Sequence, residues 1–405
     1  MVQREILISG ASVAGPALAF WLHRHGGFRV TIVEHGNVPS GGGYKVDLRG
    51  PATEVIARMG IESAVRERGA GLGGVTVLDE RGRVLTKMDR GFGFAEAGDL
   101  EVLRGDLSQL LYEATADDTE YVFGDTIASI SQQPDGVTVT FAQGEPRKFD
   151  LVIGADGVYS NVRSLAFGAD VDFLRDLGYH VAGFSIPNFL QLDRWGYLYS
   201  MPNQLAHVYN ACGRSDAQVG FLFDLGADRT LSLHYGKADR QEQKELVAGL
   251  FAEAAWEMPR ILEAMREADD FYFDSVSCVD VDGWSRQRVA LVGDAAWGPS
   301  FASGQGTSQA IVGGYVLAGE LASARDRHDE AFARYEAAMT PWIAKNQDFG
   351  QERVRHMLGV SKNHHRWHLR GLKLLASIPF ARSLARRFQR ARRPSQHMTL
   401  ADYGI

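Results

Sequence analysis

Two glycine-containing stretches carry the residues with the clearest capacity for chemistry. An apolar run from Val289 to Val292 leads into Gly293-Asp294, and a second glycine-rich turn, Gly304 to Ser308, precedes an Ala/Gly/Leu-rich run. This order predicts a strand, a turn and a helix, with a carboxylate and free backbone N–H groups at the helix start. Such a helix start stabilises an anionic ligand or one that carries hydroxyl groups.

The N-terminal region carries a second signature of the nucleotide-binding type. Gly10-Ala11-Ser12-Val13-Ala14-Gly15 follows an apolar run and opens a predicted helix. A dinucleotide fingerprint has glycine at three of these places, for the turn, for pyrophosphate approach and for helix–sheet packing. Ser12 takes the second place and adds a hydroxyl donor. Glu34 ends the next predicted strand, where a carboxylate accepts hydrogen bonds from ribose. The candidates for cofactor binding here are Gly10, Ser12, Ala14, Gly15 and Glu34.

Two further charged residues stand at the ends of predicted elements. Arg104 begins a predicted helix, where a cation is unfavourable for the helix dipole, so a nearby phosphate or acidic partner is indicated. An exposed surface arginine is the alternative. Asp156-Gly157 follows the apolar strand Phe149–Ile153, at the strand end where open α/β sheets bind ligands. The alternative there is a simple turn.

These residues need a parallel sheet to bring them together, and the remaining pattern predicts one. The first 34 residues read as a βαβ unit. From Asp172 to Asp282 aromatic residues recur at period two, which predicts a mostly antiparallel sheet. Gln241 to Glu267 is predicted as one helix. We expect a discontinuous nucleotide-binding domain (1–71, 104–171 and 283–330), a β-sheet domain (72–103 and 172–282) and a C-terminal helical region (331–405).

The period-two aromatic residues are the candidates for substrate contact. Their rings can wall a flat, apolar pocket, or they can pack beneath the sheet as core. His207 and His234 are either contacts to polar substrate groups or ordinary half-buried histidines. The substrate-binding candidates are Trp195, Tyr197, Tyr209, Phe221 and Phe223.

Composition limits the class of protein. The chain has 405 residues, of which 45% are hydrophobic and 23% are charged. This composition is ordinary for a soluble globular protein. The length is greater than a single hydrophobic core usually accommodates. Cys212 and Cys278 allow one disulfide but fit a reducing compartment better. With no signal stretch and no apolar run long enough for a bilayer, a cytoplasmic location is expected. No His/Cys cluster has metal-ligand spacing.

The net charge of −7 hides a basic C-terminal stretch. Residues 353–399 contain 12 Lys and Arg and no Asp or Glu. Docking of this stretch on the acidic body is the favoured interpretation, with a nucleic acid, an acidic partner or a membrane surface as alternatives.

The glycine fingerprint with Glu34, the Arg104 helix, Asp156-Gly157 and Gly293-Asp294 together resemble the class A flavoprotein monooxygenases. This is the para-hydroxybenzoate-hydroxylase-like group, which includes tetracycline-inactivating enzymes. The resemblance covers essentially the whole chain. It implies an α/β fold: a Rossmann-like FAD-binding domain with an inserted, mostly antiparallel β-sheet substrate domain and C-terminal helices.

The resemblance also implies roles for the matched positions. Glu34 would hold the adenosine ribose, Arg104 the ribose–pyrophosphate region and Asp294 the ribityl chain. Asp156 would serve both FAD and the approach of NAD(P)H. The positions expected beside the flavin are Arg49 and, through backbone N–H groups, Gly306, Thr307 and Ser308.

The activity implied is hydroxylation of an aromatic or polycyclic small molecule, in natural-product tailoring or antibiotic inactivation. NAD(P)H would reduce FAD, and dioxygen would form a C4a-hydroperoxyflavin that transfers oxygen; no protein residue is expected to be catalytic in its own right. The alternatives are an FAD-dependent reductase, a halogenase-like enzyme, or a flavoprotein that sequesters its ligand after losing turnover. A monomer or a homodimer is expected.

The chain departs from the family pattern beside the expected flavin face. Trp297 stands where histidine or tyrosine is frequent, Phe301 where proline is common and Ser308 where asparagine is frequent. Gly313-Gly314 replaces an acid-alanine pair. We expect the bulk of Trp297 and Phe301 to fall near the flavin face and to shape the pocket or limit turnover.

Overall fold

The computed structural model describes residues 3–37, 43–89, 98–225, 238–358, 371 and 398–404. A six-stranded sheet carries the N-terminal signature. Its strands are β1 (Arg4–Ser9), β2 (Phe28–Glu34), β7 (Glu120–Phe123), β11 (Leu151–Gly154), β17 (Ser285–Arg286) and β18 (Val289–Leu291). They lie in the order β17-β18-β11-β1-β2-β7. All neighbours are parallel except β17 and β18. This is the open parallel sheet that the βαβ start predicted.

A seven-stranded sheet forms most of the second lobe. Its strands are β4 (Gly74–Leu78), β5 (Val84–Asp89), β12 (Leu174–Pro187), β13 (Trp195–Met201), β14 (Gln204–Tyr209), β15 (Asp216–Asp224) and β16 (Tyr272–Val279). The order is β16-β12-β15-β14-β13-β4-β5. Only β13 and β4 run parallel, so the sheet is mostly antiparallel.

Two small sheets complete the β structure of the described residues. β3 (Lys45–Leu48) pairs with β6 (Leu100–Leu103), and β8 (Ile127–Gln133), β9 (Gly136–Phe141) and β10 (Arg147–Phe149) form a three-stranded meander. Although β6 lies in the range expected for the substrate domain, its partner β3 follows the nucleotide-binding βαβ unit.

The helices cover the sheets and include one difference from expectation. They are α1 (Ala14–His25), α2 (Pro51–Arg58), α3 (Glu62–Glu67), α4 (Arg104–Glu113), α5 (Asn161–Ala166), α6 (Arg240–Leu250), α7 (Met258–Glu267), α8 (Asp294–Trp297), α9 (Gly306–Ala324) and α10 (His328–Met357). The single helix expected from Gln241 to Glu267 is wrong. One helix ends at Leu250 and the next begins at Met258. The connection contains Trp256 with a φ of +61°, and α7 has proline in its first turn.

Two hydrophobic cores support the two lobes. The larger one packs α1 and α9 on the parallel sheet, and the second packs α6 and α7 on one face of the seven-stranded sheet. Cys212 and Cys278 are free thiols, so the disulfide that the sequence allowed is not formed. Within the described residues no helix has the length and apolar character needed to cross a membrane, and no His/Cys/Asp/Glu group there is arranged to hold a metal.

The described end of the chain returns to the nucleotide-binding lobe. The Tyr403 ring lies over Gly319 of α9, where a Cβ would be 2.3 Å from it, and its hydroxyl donates to Glu320 (2.9 Å). Tyr315 donates to the carbonyl of Ala401 (2.7 Å). Residues 398–404 are therefore seated against α9. Most of the basic stretch lies outside the described residues.

Candidate functional site

Five parallel strands end at one edge of the six-stranded sheet, and the polar residues singled out by the sequence lie at the ends of four of them. The turn after β1 is as tight as its glycines predict. A Cβ on Gly10, whose φ is +110°, would lie 2.4 Å from the carbonyl oxygen of Ala155, and one on Gly15 would lie 2.0 Å from the carbonyl oxygen of Gly10. Both positions therefore exclude any side chain.

Glu34 closes one end of this edge. Its carboxylate accepts hydrogen bonds from the N–H groups of Ala11 and Gly36, both at 2.9 Å, and lies 2.8 Å from the His35 ring. The side chain is 17% exposed. It therefore stands directly beside the glycine turn, with one side open to solvent.

Helix α1 begins at this turn without a capping side chain or an acidic residue in its first turn. Ser12 lies just before it and shares a hydrogen bond with Ser108 of α4 (3.3 Å). Ala14 meets Gly293, since a Cβ on Gly293 would lie 3.0 Å from the Ala14 methyl and 3.6 Å from that of Ala310. The two glycine-containing stretches thus meet in space, as one extended ligand requires.

Asp156 lies between the ends of β1 and β11. It accepts hydrogen bonds from the hydroxyls of Ser160 and Ser9 (3.2 Å to Ser9) and from the N–H of Val162 (3.1 Å). Burial raises the pKa of its carboxyl, and these donors offset part of the effect. Its observed contacts organise the loop after β11.

Asp294 has a buried side-chain oxygen that the described residues leave unsatisfied. Its Oδ1 is buried and has no hydrogen-bond partner among the described residues. Burial raises the pKa of the carboxyl, an effect that the Arg104 guanidinium opposes. Arg104 is exposed at the start of α4, 5.9 Å from the centre of the Tyr44 ring. A buried carboxylate oxygen without a donor costs free energy, so this position fits a ligand that supplies a hydroxyl.

Helix α9 starts opposite Asp294. Gly306 and Thr307 open it without a capping side chain, and a Cβ on Gly306 would lie 3.4 Å from Asp294 Oδ1. Ser308 turns its hydroxyl the other way: it accepts from the N–H of Arg49 (3.0 Å) and donates to the carbonyl of Asp47 (3.2 Å). The serine that departs from the family pattern therefore joins α9 to the end of β3.

A buried charge network follows β3, and the sequence reasoning found only its arginine. Asp47 bonds to Lys45 and to Arg49 (2.7 Å to Arg49), and Arg49 Nε lies 3.4 Å from Asp99. Burial alone would raise the pKa of Asp47, but the two cations outweigh it and lower that pKa. Arg49 also reaches the turn before α9, because a Cβ on Gly304 would lie 3.7 Å from its Nη1. The sequence signal for this network was the alternation of basic and acidic residues at Lys45, Asp47 and Arg49.

The expectation that the Trp297 side chain lies near the flavin face is wrong, because the ring lies in the hydrophobic core. The ring is 1% exposed and packs in the core against Trp284 and Tyr335, with ring centres 4.5 and 5.9 Å away. Gly313 makes the room: a Cβ there would lie 2.9 Å from the indole. The two departures from the family pattern therefore compensate each other. Phe301, by contrast, is 48% exposed on the short 3-10 turn Phe301–Ser303.

The seven-stranded sheet separates the aromatic candidates by face. Phe221 and Phe223 are 1% and 0% exposed in the core with Phe251, which follows α6, and the Tyr197 ring lies tilted against Trp256, with ring centres 5.0 Å apart. Trp195 donates to Thr76 of β4 (2.8 Å). The expectation that these four line a substrate pocket is corrected: side chains alternate along a strand, and theirs point to neighbouring elements of this lobe.

Tyr209 lies on the opposite face, which we call the cleft face because it is turned toward α10 and the 3-10 turn. On this face Leu222 and Val276 pack with Ala302 and Val354. The hydroxyl of Tyr209 accepts from the N–H of Lys45 (2.8 Å). His207 stacks on it at 4.8 Å, whereas His234 lies outside the described residues.

Three exposed tyrosines around the cleft were missed by the sequence reasoning. Tyr159 and Tyr272 donate to the two oxygens of Asp274, each at 2.5 Å. Burial raises the pKa of Tyr159 to about 12, and Asp274 contributes. Tyr44, Tyr159 and Tyr272 are 54%, 53% and 49% exposed. The only sequence signal for this cluster was that Tyr272 and Asp274 are two residues apart on one strand. This spacing places them on the same face but does not show which face of the sheet it is.

Comparisons with known proteins show the family to which the chain is related. Residues 3–180 match the family described as FAD binding domain. A flavin-dependent monooxygenase from an unknown prokaryotic organism is 40% identical over 349 residues, which cover 86% of this chain and 88% of that relative. The solved tetracycline destructase Tet(51) has a TM-score of 0.82 and 32% identity, with 99% and 100% of the two chains covered. For tetracycline destructase Tet(55) the values are 0.79, 36%, 92% and 97%.

Proposed function

This chain belongs to the family of flavin-dependent monooxygenases with an FAD-binding domain, and we propose that it uses NAD(P)H and dioxygen to hydroxylate a polycyclic or phenolic aromatic molecule. It is an FAD-dependent monooxygenase of the aromatic-hydroxylase type. The observation that carries the assignment of the cofactor site is the buried, unpartnered oxygen of Asp294 opposite the uncapped start of α9.

We assign the two ends of FAD to the two ends of the sheet edge. Glu34, beside the glycine turn and partly open, would accept from the adenosine ribose. The start of α1, with free N–H groups and no acidic residue, would face the pyrophosphate together with Arg104. Asp294 would accept from the ribityl chain, which gives its orphaned oxygen a donor.

The flavin ring would lie between the start of α9 and the charge network of β3. Gly306 and Thr307 present backbone N–H groups there, and Arg49, held by Asp47 and Ser308, would border it. Bound FAD supplies the redox chemistry, in which NAD(P)H provides two electrons and dioxygen gives one atom to the substrate and the other to water. The protein residues hold the substrate, exclude water and keep this region dry.

The names of the solved relatives favour a role in antibiotic inactivation over natural-product tailoring. Both are described as tetracycline destructases, at 32% and 36% identity with nearly full coverage. The alternative of a ligand-sequestering flavoprotein assumed that Trp297 and Phe301 both lie near the flavin and block turnover. Of the two, only Phe301 is exposed, because Trp297 lies in the core.

A cofactor-binding test follows from Asp294. We expect the purified protein to be yellow, and Asp294→Ala to weaken FAD binding about tenfold or more, because a buried hydrogen bond to a charged group is lost. Asp135→Ala is the matched control: Asp135 is an exposed carboxylate in the β8–β9 turn, paired with Lys148. FAD affinity is measured by flavin fluorescence quenching.

The activity test follows NAD(P)H oxidation and oxygen uptake with tetracycline and simple phenols. We expect substrate to accelerate NAD(P)H oxidation. A colourless protein that ignores added FAD contradicts the cofactor assignment, and a yellow protein whose NAD(P)H oxidation responds to no aromatic compound contradicts the hydroxylase.

A further inference from the structure

A row of directly paired residues crosses the cleft face from strand to strand, and two adjacent positions in this row are glycine. Direct pairing aligns Tyr272 with Gly183, Gly183 with Gly220, Gly220 with His207, and His207 with Leu198. Directly paired residues point to the same face of a sheet. We call the facing pair Gly183 and Gly220 the glycine floor.

The fold does not require glycine at the floor. A Cβ on Gly220 would meet no atom of the described residues within 4 Å, and one on Gly183 would meet only the carbonyl oxygen of Val219, at 3.7 Å. Neither has a positive φ. Glycine in a strand interior costs stability and marks close approach of a ligand or another backbone. No segment of the described residues approaches Gly220, so the space above it can hold a ligand.

The surroundings of the floor define the shape of that ligand. Three strand spacings of about 4.8 Å separate Tyr272 from His207, about 14 Å in all. On one side lie Val181, Leu222 and Leu205, next to the 3-10 turn that leads to α9. The floor therefore accepts a flat molecule longer than a single ring, with one apolar edge toward the flavin end.

The His207 end of the floor offers hydrogen bonds. His207 is half-buried and has no hydrogen bond to any described residue. Burial lowers the pKa of its imidazole to about 4, and Lys45 adds to the effect, so the ring is neutral with one donor and one acceptor. Tyr209 accepts from Lys45, which leaves its own proton available. His207 and Tyr209 pack closely on the neighbouring strand β13, since a Cβ on Gly196 would lie 3.0 Å from His207 Nε2 and 3.3 Å from the Tyr209 Cβ.

We propose that His207 and Tyr209 bind a phenolic, enolic or carbonyl oxygen of a flat fused-ring substrate that lies over the Gly183–Gly220 floor. These residues then determine substrate specificity. The two glycines leave space above the sheet for the flat ring system, and His207 and Tyr209 orient it. This inference rests on the proposed function and names its substrate class.

The test measures equilibrium binding of tetracycline, as a fused-ring probe with oxygen-bearing edges, to the oxidised FAD-loaded protein. Gly220→Val fills the floor and is expected to weaken binding about tenfold or more. Gly249→Ala, at an open glycine of α6, is the control and leaves affinity unchanged. FAD content and thermal unfolding of each variant show that the fold is kept.

A second pair of variants tests the orienting end. His207→Leu is expected to weaken binding about tenfold, and His207→Asn, which keeps a donor and an acceptor, to recover part of it. The single-ring 4-hydroxybenzoate, too short to span the floor, is expected to lose less affinity in Gly220→Val than tetracycline does.

The outcomes separate this inference from the proposed function. Binding is measured without NAD(P)H or turnover, so an inactive protein that binds tetracycline through the floor overturns only the hydroxylase. Equal affinity of the wild type, Gly220→Val and His207→Leu overturns the inference, as does wild-type protein that binds no tetracycline.

Discussion

The two faces of the seven-stranded sheet differ as much as any two regions of the described molecule. On the face covered by α6 and α7, Phe221 sits 4.4 Å from Phe251, ring centre to ring centre. On the cleft face its sequence neighbour Gly220 leaves open space. One face is covered by packed aromatic side chains, and the other has two paired glycines, Gly183 and Gly220, with open space above them. The aromatic residues build the lobe, and the missing side chains leave room for a ligand.

The nucleotide-binding lobe repeats this contrast with one difference. Gly313 is a glycine that packing demands, because the Trp297 indole occupies its side-chain volume. Asp294 is a polar group that no described residue satisfies. Filled positions should therefore respond to mutation through stability, and empty or unsatisfied positions through binding.

The largest expected effect lies on the filled face. Phe221→Ala should lower the free energy of unfolding by about 3–5 kcal/mol, because a buried aromatic ring leaves a cavity. Denaturant unfolding of the FAD-loaded protein measures this. Gly220→Ala is the neighbouring control on the other face, and a loss of comparable size there would remove the distinction between the faces.

An intermediate effect is expected where the fold demands glycine. Gly313→Ala should cost about 1–3 kcal/mol by overpacking against Trp297. Adding Trp297→His to Gly313→Ala should recover part of that loss, which a double-mutant cycle of unfolding free energies detects. Additive losses would show that the two positions do not compensate each other.

A smaller effect of opposite sign is expected on the glycine floor. Gly183→Ala should raise the free energy of unfolding by about 0.5–1 kcal/mol, since alanine loses less entropy on ordering in a strand. Thermal unfolding of wild type and variant decides the sign. A clear destabilisation would mean that packing, and not a ligand, keeps glycine there.

The smallest expected effect is the absence of a histidine titration in substrate binding. Because the pKa of His207 lies at about 4, with Tyr209 stacked on it and Lys45 close by, the ring stays neutral across the usual pH range of an assay. The tetracycline Kd should change by less than about twofold between roughly pH 5.5 and 7.5. A tenfold change centred near the ordinary histidine value would show a charged His207.

Local patterns predicted the strand ends of the nucleotide-binding lobe. Glu34, Asp156 and Asp294 follow apolar runs that form parallel strands, so their common edge followed from sequence alone. The fold class was predicted for the same reason. The cofactor and the roles of the matched residues came from the family resemblance. The site at this edge is therefore the part that a sequence defines best.

Period two could not assign the faces of the second lobe. Adjacent residues such as Gly220 and Phe221 point to opposite faces of their strand, but which face is covered by α6 depends on the tertiary packing of the lobe. Trp297 failed for a related reason: its compensation by Gly313 joins residues 16 positions apart, on different helices. The interruption between α6 and α7 spans residues 251–257, where the sequence carries no glycine or proline, and the next proline is Pro259.

The seat of Tyr403 on α9 has a consequence for biosynthesis. β1 is made early, but β18, a strand of the same sheet separated from β1 by β11, is made some 280 residues later, and residues 398–404 against α9 follow it. At about 5–20 residues per second, the cofactor lobe stays incomplete for tens of seconds after β1 emerges. FAD capture is thus a late event in synthesis, because Asp294 and the start of α9 follow β18, and until then the apolar faces of β1 and β2 lack their later packing partners.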